Sequence, residues 1–340
     1  CVRCNSNTKI PDRCAAAALG WVHPTPPTER TTAASFRRHT HTKTRTRTSM
    51  STVYLNGEYL AKEDAKISPD DRGFLLGDGL YEVAAAYEGV LFGFEEHIAR
   101  LLRGLCWMRI DYDTSGLEEV FAQLIARNGL ESADRSLVYL QITRGAAPRT
   151  HYFPKEAVEP TVYAYAKEWS RPSDERWDQG FTAATVPDRR WSRVDIKTIC
   201  LLPNAIGFQD ALEKGADDAI LVRDGVAIEG AHQNFWAVFG DTAVTHPKTN
   251  QILPGITRDI VLEEALAAGM SVEERPIQIE ELAHADEAFF TGTTGEVRPV
   301  VEIDGSPVGS GRVGNVTRRL SDLFLARVEA AKEAARAGSA

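Results

Sequence analysis

The spacing of apolar residues changes period several times between residues 52 and 335, and a chain that keeps switching in this way must mix strands with helices. In TVYLNGEYL apolar and polar residues alternate, and Asn56-Gly57 supplies the positive backbone angles of a tight hairpin turn, which predicts two edge strands. LYEVAAAYEGVLFGF reads as a second hairpin about Glu88-Gly89. The period then lengthens: Ile98, Leu101, Leu102, Leu105 and Met108 recur at helical spacing in FEEHIARLLRGLCWMRI, with charges on the other face. A second helix is predicted from Ser115, which forms a capping-box pattern with Glu118, to a stop at Gly129. Strands SLVYLQITRG and TVYAYAKEW complete a small α/β domain over residues 50–169.

The stretch EWSRPSDERWDQG is polar, contains proline and lacks periodicity, so residues 170–180 are expected to be a linker. Over 181–336 the β-like runs FTAATV, DAILVRDG, NFWAVFG, AVTHP and EAFFTG mix with helical segments at about 204–215, 256–269 and 312–335. No solenoid-type repeat is present. The expected class is α+β, in two domains.

Charge divides the chain differently. Residues 1–49 carry nine Lys or Arg against Asp12 and Glu29, a surplus of seven, so the total of −9 leaves −16 for residues 50–340. A body this acidic lacks the clustered cations that phosphate backbones require, which argues against nucleic-acid partners. No apolar run reaches the ~20 residues of a membrane span. The first 49 residues begin with Cys1, contain no methionine and end in HTHTKTRTRTS before Met50. They read either as an Arg- and Thr-rich transit peptide or, preferably, as an upstream region translated in error, and in both cases disorder is expected. Cys1-x-x-Cys4 resembles half a metal knuckle without a second half, so no metal is expected. Cys106 and Cys200, the body's two cysteines, suit a reduced cytoplasmic protein, with a plastid or mitochondrion as the alternative if the leader is genuine.

Four stretches carry candidate chemistry. In QILPGITRDIVLEEALAAG, Pro254-Gly255 breaks the chain just before a helical run, so the free N–H groups at Ile256 and Thr257 and the Thr257 hydroxyl make a seat for a phosphate. An ordinary turn into a surface helix has the same pattern. In FFTGTTGEVRP, Gly292 and Gly295 let backbone approach a ligand and Thr293 offers a hydroxyl, although a polar loop after a strand reads similarly. Lys197, in RVDIKTICLLPN, is followed by Ile199, Leu201 and Leu202. Facing inward from such a strand, it would be desolvated and would favour the neutral amine that forms a Schiff base. Arg149 and His151, in RGAAPRTHYFP, stand two apart, so an extended loop can aim both at one carboxylate.

Together DRGFLLGDGLYEV, EEHIARLLR, QITRGAAPRTH, DIKTICLLPN, AILVRDGVAIEG, ILPGITR and TGTTGEVRPV, in that order over roughly residues 52–325, resemble the fold type IV pyridoxal-phosphate enzymes, and within them the D-amino acid aminotransferases (D-alanine transaminases). The resemblance implies a small α/β N-terminal domain and a larger C-terminal domain with a barrel-like β core. It implies pyridoxal 5'-phosphate in a Schiff base with Lys197, Glu229 against the pyridine nitrogen, and Leu253 packed on the ring. Phosphate would be held by Arg100, Ile256, Thr257, Gly292 and Thr293. Tyr81, Arg149 and His151 match the substrate-carboxylate trap of the D-amino acid branch, with Arg149 and His151 reaching a neighbouring subunit's site in a homodimer. The implied reaction is ping-pong transamination between D-amino acids such as D-alanine and 2-oxo acids such as 2-oxoglutarate. Branched-chain L-amino acid aminotransferases, (R)-amine transaminases and aminodeoxychorismate lyases are rivals of the same fold. A catalytically inactive phosphate-ligand binder is the rival outside enzymes. One departure stands out: where D-amino acid members often carry serines, this chain reads Ala231-His232-Gln233-Asn234.

Overall fold

The structure is a computed structural model that describes residues 51–338, so the expectations for residues 1–49 lie outside it. Strands β1 (Thr52–Leu55), β2 (Glu58–Ala61), β3 (Gly79–Tyr87), β4 (Val90–Phe92), β5 (Ser136–Thr143) and β6 (Thr161–Glu168) form one antiparallel sheet in the order β2-β1-β6-β5-β3-β4. Among them run α1 (Arg72–Leu76), α2 (Phe94–Met108) and α3 (Leu117–Arg127). The turn chemistry read from sequence is present: Asn56 and Gly57 have φ of 49° and 95°, and Glu88 and Gly89 have 48° and 79°. Only β2 is an edge strand of the first pair, because β1 also pairs with β6.

Alternation assigns the faces of this sheet. Leu80, Ala84 and Ala86 of β3 point with Val138, Leu140 and Ile142 of β5 toward the apolar stripes of α2 and α3, where Leu101, Leu105, Phe121 and Leu124 are buried. Each large apolar side chain contributes about 1.5–3 kcal/mol through removal from water. The capping box expected at Ser115 does not form. Asp113 takes both the backbone N–H and the hydroxyl of Ser115, at 2.9 and 3.0 Å, and the helix starts two residues later behind Gly116. Its end agrees with expectation, with Gly129 at φ 67° just beyond Arg127.

The expected linker contains a short helix, α4 (Asp174–Gln179), capped by the Ser173 hydroxyl on the Arg176 N–H. The second sheet is built from β7 (Phe181–Pro187), β8 (Asp218–Arg223), β9 (Val226–Gly230), β10 (Asn234–Phe239), β11 (Thr242–Thr245), β12 (Ser271–Glu274), β13 (Ile277–Gln278), β14 (Glu287–Gly292), β15 (Glu296–Ile303) and β16 (Ser306–Pro307). Its order is β12-β11-β10-β14-β15-β7-β8-β9-β13, with β16 on β15, and it curls into a half-barrel. Phe235, Phe290, Ile220, Ala227 and Ile277 fill one core of this sheet. Helix α5 (Leu202–Glu213) covers β7 and β8, while α6 (Ile256–Ala267) and α7 (Asn315–Gly338) cover another face around Trp236, Phe289 and Phe324. The protein is therefore α+β. We propose that the two sheets with their helices are the domains 50–169 and 181–336.

Candidate active site

One cleft is lined by Tyr81, Arg100, Lys197, Glu229, Leu253, Ile256, Thr257, Gly292 and Thr293 together. These nine come from both sheets, from α2, from the N-terminus of α6, from the β14–β15 turn and from the irregular segments that precede α5 and α6. Arg149 and His151 do not line this cleft, and His151 is exposed. Their loop is nevertheless held, since buried Arg72 donates to the Thr150 carbonyl between them at 3.0 Å and to Asp78 at 2.8 Å.

Lys197 does not lie on a strand, as sequence periodicity suggests. Its irregular segment hangs on β3 through backbone bonds, from Tyr81 N–H to Lys197 O and from Ile199 N–H to Gly79 O, each 3.1 Å. The Lys197 Nζ lies 4.2 Å from the centre of the Tyr81 ring, which is stacked in turn on Tyr139. The amine is thus fixed by two backbone anchors and an aromatic face.

At the end of β9 the Glu229 carboxylate is 3% exposed. Burial raises its pKa, and the adjacent Arg190 guanidinium only partly offsets this. Arg190 donates to one oxygen, Asn234 donates to the other at 2.8 Å, and the Leu253 N–H donates at 3.2 Å. Behind them Asp188, whose side chain is fully buried, takes two further bonds from Arg190 at 2.9 Å. Sequence reasoning misses Arg190, Asn234 and Asp188. The run VPDRR carries a carboxylate beside two cations after an apolar strand, and it is the available signal.

The anion seat has a second support that sequence reasoning misses. Arg100, expected as a phosphate ligand on an amphipathic helix, is buried: its Nε and Nη2 donate to both oxygens of Glu82 at 2.8 Å, and Nη1 donates to the Pro254 carbonyl at 2.9 Å. His97, one turn earlier, shares Glu82 at 2.8 Å. Burial alone would raise the pKa of Glu82, but the Arg100 charge and its hydrogen bonds outweigh it and hold the carboxyl far below the ordinary range. The signal lies in the alternation of β3, which puts Glu82 on the same face as Leu80 and Ala84. Through Pro254, Arg100 is tied to the turn that opens α6. There Gly255 caps the helix without any side-chain acceptor, so the first N–H groups have no capping oxygen. A Cβ on Gly255 would stand 1.9 Å from Asn234 Oδ1, which requires glycine at this bend.

An amine, a buried carboxylate and a cationic helix terminus sharing one cleft match the donor set that a phosphorylated pyridine aldehyde needs. Comparison with known proteins agrees: the chain belongs to the class IV aminotransferases, whose family model, Amino-transferase class IV, matches residues 79–303. It is 39% identical over 282 residues to a D-alanine aminotransferase of Staphylococcus haemolyticus, covering 82% of this chain and 99% of that protein. It is 40% identical over 270 residues to a D-alanine aminotransferase of Bacillus licheniformis, covering 79% and 94%. A solved structure of the branched-chain amino acid aminotransferase from Escherichia coli superposes with a TM-score of 0.72 at 28% identity, covering 81% of this chain and 93% of that one.

Proposed function

We propose that this aminotransferase binds pyridoxal 5'-phosphate on Lys197 and moves amino groups between D-amino acids such as D-alanine and 2-oxo acids such as 2-oxoglutarate. The observation that carries the proposal is the single cleft shared by Lys197, Glu229 and the open N-terminus of α6. The D-amino acid assignment is supported by the relatives named D-alanine aminotransferases. When bound, the cofactor supplies an electron sink for negative charge at the substrate Cα. Arg100, Ile256, Thr257, Gly292 and Thr293 would hold its phosphate, Leu253 would pack on its ring, and Glu229 would pair with its protonated ring nitrogen. Lys197 Nζ would carry the proton removed from the substrate Cα, so one residue would serve as base and then as acid. Tyr81 keeps that amine over its ring face.

The substrate carboxylate is assigned to Arg149 and His151 of a second subunit, since both stand outside their own chain's cleft. A homodimer follows from that assignment. No helix among the described residues is long and apolar enough to cross a membrane, and a cytoplasmic location is part of the proposal. A second reading, a branched-chain L-amino acid aminotransferase, is favoured by the fold likeness to the Escherichia coli enzyme. The test is an absorbance spectrum of the purified protein titrated with each enantiomer of alanine and with L-leucine. A visible band that shifts with D-alanine alone supports the proposal. A band that shifts with L-leucine and not D-alanine supports the second reading, and a static or absent band overturns both.

A further inference from the structure

The wall of the cleft between β9 and β10 carries a polar cluster that the proposed chemistry does not use. His232 lines the cleft with half of its side chain exposed, and its ring stands perpendicular to that of Phe208 of α5 with centroids 5.3 Å apart. Neither ring nitrogen has a hydrogen-bond partner among the described residues, because Asp218 Oδ2 stands 3.9 Å from Nε2, beyond hydrogen-bond range. Asp218 is fully buried and already accepts the Ala219 N–H at 2.8 Å, Gln233 Nε2 at 2.6 Å and Arg298 Nη1 at 3.3 Å. Gln233 in turn sits under the β14–β15 turn, where a Cβ on Gly295 would meet its Oε1 at 2.2 Å. The carboxylate nearest the imidazole is therefore already occupied by other donors, and His232, which lines the cleft, is left without a hydrogen bond at either ring nitrogen.

We infer that His232 is a specificity-determining residue that recognises a second, distal carboxylate, so that the enzyme prefers dicarboxylic substrates over monocarboxylic ones of similar length. The inference rests on the proposed function, which puts the reacting amine at Lys197 in the same cleft. An imidazole with both nitrogens free offers one donor when neutral and two when protonated. Burial of the ring's inner edge lowers its pKa, and three charged groups act on it besides: Asp218 raises the pKa, while Arg298 and Lys197 lower it. A carboxylate arriving at the ring adds a negative partner and favours the imidazolium. Dicarboxylate binding must accordingly strengthen as pH falls through the imidazole titration, whereas monocarboxylate binding gains nothing from His232.

The experiment titrates the cofactor-loaded protein with glutarate and with butyrate, unreactive probes that differ by the distal carboxylate, following heat by calorimetry. Glutarate should bind about tenfold more tightly than butyrate, the size of one charge-assisted hydrogen bond. His232→Ser should erase the difference and leave butyrate affinity unchanged. His232→Gln, which keeps a neutral donor without a titrating group, should retain part of the preference and lose the strengthening that the parent shows as pH falls below ~6.5. Equal affinities in the parent, or a glutarate preference that survives His232→Ser, would overturn the inference. Binding is read without turnover, so a protein that fails to deaminate D-alanine refutes the proposed function while the glutarate arm still decides this one.

Discussion

Replacing Glu82 by Gln isolates the pair that supports the anion seat. Glu82 and Arg100 are 1% and 6% exposed, and both carboxylate oxygens receive guanidinium N–H groups at 2.8 Å. The amide retains one acceptor and turns an NH₂ toward Arg100 or His97, leaving a buried cation without its counter-charge, which costs about 3–5 kcal/mol. For a body of this size, at roughly 2 °C per kcal/mol, the melting temperature should fall by about 6–10 °C. Removing both charges with Glu82→Leu and Arg100→Met should recover most of that loss, because apolar replacements of similar volume need no desolvation of ions. The double variant should still bind pyridoxal phosphate about tenfold or more weakly, since the guanidinium is gone. Thermal unfolding followed by circular dichroism, with a cofactor titration, measures both effects. A Glu82→Gln protein that melts within ~2 °C of the parent would show that the pair is not the buried, mutually dependent unit described above.

Two further outcomes follow from the geometry. Gly255→Ala drives a methyl into Asn234, so it should cost about 1–3 kcal/mol and, by moving the amide that bonds Glu229 and Leu253, weaken cofactor binding; unchanged urea midpoint and cofactor affinity would show that Asn234 is not the tether. Burial holds the pKa of His97 below its ordinary value, with Glu82 offsetting only part. The unfolded chain therefore takes up a proton below ~pH 6.5 that the folded chain refuses, and stability falls with pH until the folded imidazole itself titrates. His97→Gln should reduce that slope between ~pH 7.5 and ~5.5, and a slope equal to the parent's would count against a neutral buried His97.

How much of the molecule is legible in the sequence depends on whether a local pattern is enough. Asn56-Gly57 tolerates positive φ at both turn positions and Gly89 tolerates it after Glu88, so both hairpins can be read locally. The helix at 94–108 announces itself by its leucines, while its cleft-lining Arg100 is found through resemblance to a family and not through that periodicity. Capping at Ser115 fails because Asp113 competes for the same hydroxyl and N–H, a choice between neighbours that the capping pattern does not encode. Lys197 reads as a strand residue because apolar residues follow it, whereas its segment is held by bonds to β3 more than a hundred residues earlier. Partners that meet only in the fold, Arg190 with Glu229 and Asn234 with Leu253, leave no spacing to read.

The measurement that bears most directly on the central claim is borohydride reduction of the protein loaded with pyridoxal phosphate, followed by peptide mass mapping. Reduction should fix the pyridoxyl group on the peptide containing Lys197, and prior addition of D-alanine should abolish the label. A label on any other lysine, or none on Lys197, would contradict the account.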